Sequence, residues 1–175
     1  MFNENYFEFG KKWLNINADM VHGGKVLEVS FLDTFRPIVT KMSPSMYVNA
    51  SSKNGPGVDI EESPYNLVET FGKTYFDIVI CDVLQYIKDW KRAVWAINSV
   101  MNTEGILIIG TRSISHNKEC ASDHWRFTTN NLYEAFRGFS IQELKECLGD
   151  GILFAGMKRE ISTNDISGIL AHEVI

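Results

Sequence analysis

Two carboxylates and one short run of mixed side chains are where this chain can do chemistry. Asp82 follows four consecutive apolar residues, Ile78 to Cys81, and precedes Val83-Leu84-Gln85-Tyr86. A carboxylate there can receive a substrate proton, fix a polar ligand group, or cap the following helix. Glu28, inside Lys25–Val29, can face a ligand and orient the next loop through backbone N–H groups, or lie solvated beside a lysine. His116, Cys120 and His124 recur every four residues, with Asp123 beside the last. On one helix face such imidazole and thiolate groups ligate zinc. The segment SISHNKECASDHW has no apolar stripe, so the preferred reading is a solvated loop without a metal. Next to it, Trp125, Arg126 and Phe127 suit a structural corner in which Arg126 bridges Asp123 and a carbonyl while the rings pack beneath. Gripping a substrate is the competing use. Cys81, inside the apolar run, reads as an inert core thiol.

The elements that position these groups follow from periodicity. YFDIVICDVLQY, Tyr75 to Tyr86, is the pattern of a parallel strand buried on both faces, leading into an amphipathic helix through Ile87, Trp90, Val94, Ile97 and Met101. KVLEV (Lys25 to Val29), Met46 to Ala50, Val58 to Ile60 and GILIIG (Gly105 to Gly110) are further strands, with a tight turn over Asn102 to Gly105. Asp33 or Thr34 can cap a brief helix with Pro37 in its first turn. Ser63-Pro64 starts a helix that Gly72 ends, and Thr128 or Thr129 one that Gly138 ends. Ser140 to Leu148 and Ile152 to Lys158 form a hairpin across Gly149-Asp150-Gly151. Asn5 to Leu14 presents an aromatic stripe, which packs on the domain or, less commonly, lids a pocket.

With 175 residues, 45% of them apolar, the chain is one domain with an ordinary core. The core spans about 25–158, with a helix over 4–14 and a tail over 162–175. The net charge of −5 with interspersed signs disfavours nucleic acid and leaves a small-molecule ligand or a protein as partner, a homodimer included. Three scattered cysteines suit a reducing cytoplasm. No apolar run approaches the ~20 residues of a membrane span, and MFNENYFEFGKKW lacks the pattern of a secretion signal.

Alternating strands and helices closing on a hairpin resemble the class I S-adenosylmethionine-dependent methyltransferase superfamily. KVLEV is similar to its first strand, FDIVICDVLQYIKDW at Phe76 to Trp90 to its fourth strand and following helix, and NTEGILIIGTRS at Asn102 to Ser113 to its fifth. DHWRFT at Asp123 to Thr128 and YVNASSKNGPGVDI at Tyr47 to Ile60 resemble a type 11-like subgroup. The likeness covers about Lys25 to Lys158. It implies an α/β, Rossmann-like fold: a mostly parallel seven-stranded sheet, order 3-2-1-4-5-7-6, with the last strand antiparallel and helices on both faces.

The resemblance also implies a cofactor, S-adenosylmethionine, and a set of residues around it. Glu28 stands in the first strand's acidic motif. Ser30 and Phe31 occupy the turn where the family has glycines, and Ser51 the place of the acid that accepts both ribose hydroxyls. Glu62 and Ser63 flank the adenine, with Cys81 and Asp82 at the fourth strand's edge. Gln85-Tyr86 replaces Glu-His, and Gln85, Asp123, His124 and Arg126 border the acceptor. A nucleoside-sized hollow is expected between Ser30, Ser51, Glu62 and Asp82. Losing the ribose carboxylate costs ~1.5–3 kcal/mol of binding, the worth of a hydrogen bond to a charge. Two functions follow as expectations: methyl transfer to an unidentified acceptor, or a catalytically inactive relative serving as a binding or dimerisation module.

Overall fold

The apolar run before Asp82 lies in the middle of a sheet, as its two-sided burial requires. The computed structural model describes residues 4–115, 122–147, 151–159 and 171–173. Its main sheet contains β1 (Lys25–Val29), β2 (Met46–Ser51), β3 (Ile60–Glu61), β4 (Phe76–Cys81), β5 (Met101–Thr111), β7 (Phe139–Cys147) and β8 (Gly151–Lys158), while β6 (Trp125–Arg126) pairs separately with β9 (His172–Glu173). The strand order β3-β2-β1-β4-β5-β8-β7 is the expected 3-2-1-4-5-7-6 once β6 is left out of the count. β8 runs antiparallel to β5 and β7, and the other pairings are parallel.

Side-chain alternation divides the sheet between two cores. Leu27, Val29, Val79, Cys81, Leu107 and Ile109 point to one face, covered by α4 (Leu67–Phe71), α5 (Trp90–Val100) and α6 (Thr129–Ala135). Val26, Ile78, Ile80, Ile106 and Ile108 point to the other, where α1 (Glu4–Ile16), α2 (Ala18–Val21) and α3 (Arg36–Val39) lie. The aromatic stripe of α1 is packing, not a lid: Tyr6, Phe9, Trp13 and Leu14 are buried, and lifting them would forgo about 1.5–3 kcal/mol each. Two glycines permit the close approach. A Cβ on Gly110 would stand 2.6 Å from the Tyr6 ring, and one on Gly10 would strike Phe35.

Several element boundaries differ from the sequence expectation. α3 is preceded by Phe35 with no side-chain cap, because Asp33 is drawn into an ion pair with Arg36. The third strand is Ile60–Glu61, set by its register against Ala50 and Ser51. Asn102 to Gly105 is not a separate turn. It continues β5 through a register shift, with Glu104 at φ 65°. α6 ends at Ala135, before Gly138, and carries the Thr128–Asn131 capping box at its start. The hairpin turn lies at 148–150, outside the described residues, although Cys147 and Gly151 are paired across it.

Candidate functional site at the carboxyl edge of β1, β2 and β4

β1 and β4 are neighbours whose connections leave towards opposite sides of the sheet, β1 to β2 and β4 to β5. That divergence opens a crevice at their carboxyl ends. Glu28, 1% exposed, lies next to the end of β1 with its side chain on the Val26 face of the sheet. One carboxylate oxygen accepts from the Thr34 backbone N–H (3.0 Å) and from Ser30 Oγ (3.0 Å), the other from the Phe35 N–H (3.1 Å) and the Tyr47 hydroxyl. Burial pushes the Glu28 pKa upward, and these four bonds pull against it without cancelling it. Its work is to shape residues 30–35 from within.

A second set of contacts ties that loop to the one after β2. The single Tyr47 hydroxyl is shared between Glu28 and Asp33 (2.9 Å), and Arg36 holds Asp33, Asp59 (2.6 Å) and the Gly57 carbonyl (3.0 Å) while stacking over the Tyr47 ring at 4.7 Å. Asn49 donates its backbone N–H to Asp59 (2.7 Å) and its side-chain amide to the Leu32 carbonyl (3.3 Å). Gly57, at φ 84°, sits against Asp33 so closely that a side chain would displace it. Of this clasp of Tyr47, Asp33, Arg36, Asp59 and Asn49, only Asp33 was singled out in the sequence, and as a helix cap. Tyr47, Asn49 and Asp59 do lie within YVNASSKNGPGVDI, the segment whose pattern stood out.

The crevice it closes is small. A cavity of about 30 Å³ remains, lined by Val29, Phe31, Ser51, Pro64, Val83 and Tyr86 among others. Phe31 has turned inward onto Tyr86, ring centroids 5.3 Å apart, with the Lys53 ammonium above at 5.4 Å. Among the described residues no nucleoside-sized hollow opens beside Phe31, whose ring fills volume that glycines would leave open. Of its four expected walls, Ser51 lines what remains. Ser30 is turned to Glu28 and the Leu32 carbonyl. Glu62 accepts from the Ser63 N–H (2.7 Å), Asn66 (3.0 Å) and Thr70 (3.0 Å), bonds led by Asn66 that hold its carboxyl below the usual range. Ser63 caps the turn Pro64–Asn66 by accepting from the Tyr65 N–H.

Asp82 is half-buried at the tip of β4. Burial first, then the Glu28 carboxylate, push its pKa up to about 8. It does not cap the following helix: α5 begins eight residues later and is capped by Asp89, which accepts from the Arg92 N–H at 3.2 Å. Cys81 is fully buried, and burial raises its thiol to about 12, so it stays protonated.

Around DHWRFT, expected to border an acceptor, the groups are committed to one another. Gln85, fully buried, donates to the Asp82 carbonyl (2.7 Å) and accepts from Thr111 (3.0 Å), and its own carbonyl accepts from the His124 N–H (2.8 Å). Arg126 makes a two-pronged pair with Asp123 (2.5 and 2.7 Å), both buried, and donates to the Trp125 carbonyl (2.9 Å). The Trp125 indole reaches the carbonyls of Ile87 and Lys88, and Phe127 meets Trp90 edge-on at 5.2 Å. DHWRFT is a corner that joins the ends of β4 and β5. His116 and Cys120 of the four-residue repeat lie outside the described residues.

No family model matches the chain, and no curated protein matches it in sequence. Solved structures do match in shape. A Burkholderia thailandensis 1,6-didemethyltoxoflavin-N1-methyltransferase, bound to 1,6-didemethyltoxoflavin and S-adenosylhomocysteine, superposes with TM-score 0.70 at 11% identity over 90% of this chain and 80% of that one. An S-adenosylmethionine-dependent methyltransferase from Mesorhizobium loti gives 0.62 at 13%, over 87% and 100%. A chain from the complex containing the Haloferax volcanii Trm112 methyltransferase activator gives 0.64 at 11%, over 87% and 94%. The fold is thus the Rossmann-like class I methyltransferase fold. S-adenosylmethionine, whose nucleoside and amino-acid parts need a pocket of roughly 300 Å³ or more, is larger than the cavity of about 30 Å³ that the described residues leave beside Phe31.

Proposed function

We propose that this chain is a methyltransferase-like protein that uses the class I scaffold as a binding or dimerisation module and transfers no methyl group. The observation that carries the reading is Phe31 seated on Tyr86, which leaves about 30 Å³ beside Ser51 among the described residues. Ser51 supports it, since a hydroxyl offers one hydrogen bond where a carboxylate offers a charged, two-pronged grip on a ribose. So does the clasp, which spends the polar groups of both loops on each other.

A second reading is S-adenosylmethionine-dependent transfer to an acceptor not yet identified. It is favoured by the half-buried position of Phe31, whose ring can swing outward without unfolding a core. Methyl transfer from a sulfonium relies on positioning and exclusion of water, so it needs no obligatory acid or base from the chain.

Calorimetric titration with S-adenosylmethionine and S-adenosylhomocysteine separates the two. The module reading expects neither to bind more tightly than millimolar. Phe31→Ala combined with Ser51→Asp is expected to improve affinity at least tenfold by restoring room and a ribose acceptor. Micromolar binding to the unaltered protein would overturn the module reading, and transfer of a labelled methyl group to an acceptor would be the further measurement the transferase reading requires.

A further inference from the structure

A larger cavity lies on the opposite side of the molecule, between α1 and the outer strands β7 and β8. It measures about 220 Å³. Along α1 it is lined by Asn5, Glu8, Phe9 and Lys12, a stripe at helical spacing, and across from them by Lys145 and Leu153. Phe9 and Leu153, 3% and 1% exposed, form an apolar floor. Lys12 and Lys145 both hold Glu143, at 2.6 and 3.0 Å, so two ammonium groups share one carboxylate and a positive charge is left over. Glu8, at the rim, is engaged by Lys11 at 3.5 Å. On a chain of net charge −5 this is a local reversal of sign. Lys145 also stands 5.2 Å above the Phe9 ring, so a cation borders the apolar floor directly.

From this geometry we infer that the cavity is a binding site for a small organic carboxylate, its apolar body on Phe9 and Leu153 and its carboxylate between Lys12 and Lys145. A second anion there competes with Glu143 for the two ammonium groups. The Trp13 indole N–H, which donates to Glu143 at 3.0 Å, must sense that competition. The site is independent of the crevice between β1 and β4 and of whether S-adenosylmethionine binds there.

The test uses benzoate as probe and the Trp13 indole ¹H–¹⁵N resonance as readout, on the full chain. Expected is a saturable shift of Trp13, absent in Lys12→Ala/Lys145→Ala and retained in Lys12→Arg/Lys145→Arg, with all three proteins unfolding cooperatively. Inorganic phosphate is expected to bind at least fivefold more weakly, since it has no apolar body for the floor. No saturable shift, a shift that survives the double alanine variant, or phosphate binding as tightly as benzoate would each overturn the proposal.

Discussion

Asp82 and Arg126 show how burial turns ordinary side chains into sensitive ones. Burial, then the Glu28 carboxylate, push the Asp82 pKa up to about 8 in the folded chain, against near 4 for an unfolded aspartate. Its neutral form is favoured on folding, so its contribution to stability is complete below about pH 4 and is lost as the pH climbs to about 8. Glu28, also raised, acts in the same sense. Denaturant unfolding between these limits is expected to show stability falling with pH, by at most about 1.4 kcal/mol per unit for this one group. The decline should be shallower in Asp82→Asn. An unchanged slope would mean Asp82 is solvated. For Arg126→Ala the expected loss is about 3–5 kcal/mol, because the Asp123 carboxylate is left buried without its partner. Urea unfolding measures it directly.

At the scale of elements, the loops after β1 and β2 behave as one unit because Arg36 bridges them. Arg36→Ala removes its hold on Asp33, Asp59 and the Gly57 carbonyl at once. Faster hydrogen exchange is expected at both 30–35 and 52–59, with a stability loss of about 1–2 kcal/mol because the guanidinium is partly solvated. Faster exchange in one loop alone would show that the clasp does not couple them. α1 offers a contrasting case, an element fastened by apolar area. Gly110→Ala drives a methyl group into the Tyr6 ring, and an overpacking cost of about 1–3 kcal/mol is expected in thermal unfolding.

For the whole molecule, the two cores make α1 part of the globule. A variant lacking residues 1–16 exposes Val26, Ile78, Ile80 and Ile106 on one face of the sheet, and is expected to aggregate or melt well below the full chain. A truncated chain with unchanged melting temperature would restore the lid reading of that helix. The same scale governs function. The methyltransferase fold sets where a ligand can bind, but the loops at the strand tips set whether there is room.

Alternation and burial pattern were enough to read the central strand and the Asp123–Arg126 corner from the amino acids, because each depends on local periodicity or on partners three residues apart, while the order of the strands was implied by the resemblance to the methyltransferase superfamily. For Glu28 the sequence left two readings, a carboxylate that orients its loop or one solvated beside a lysine, and the bonds to the Thr34 and Phe35 N–H groups are those of the first. What periodicity could not supply was the volume at the crevice. The direction of the Phe31 ring depends on Tyr86, 55 positions away, and on a clasp whose members Asp33, Tyr47 and Asp59 meet only when β1 and β2 lie side by side. The location of a site follows from the order of strands. Its occupancy follows from non-local packing, which no linear spacing encodes.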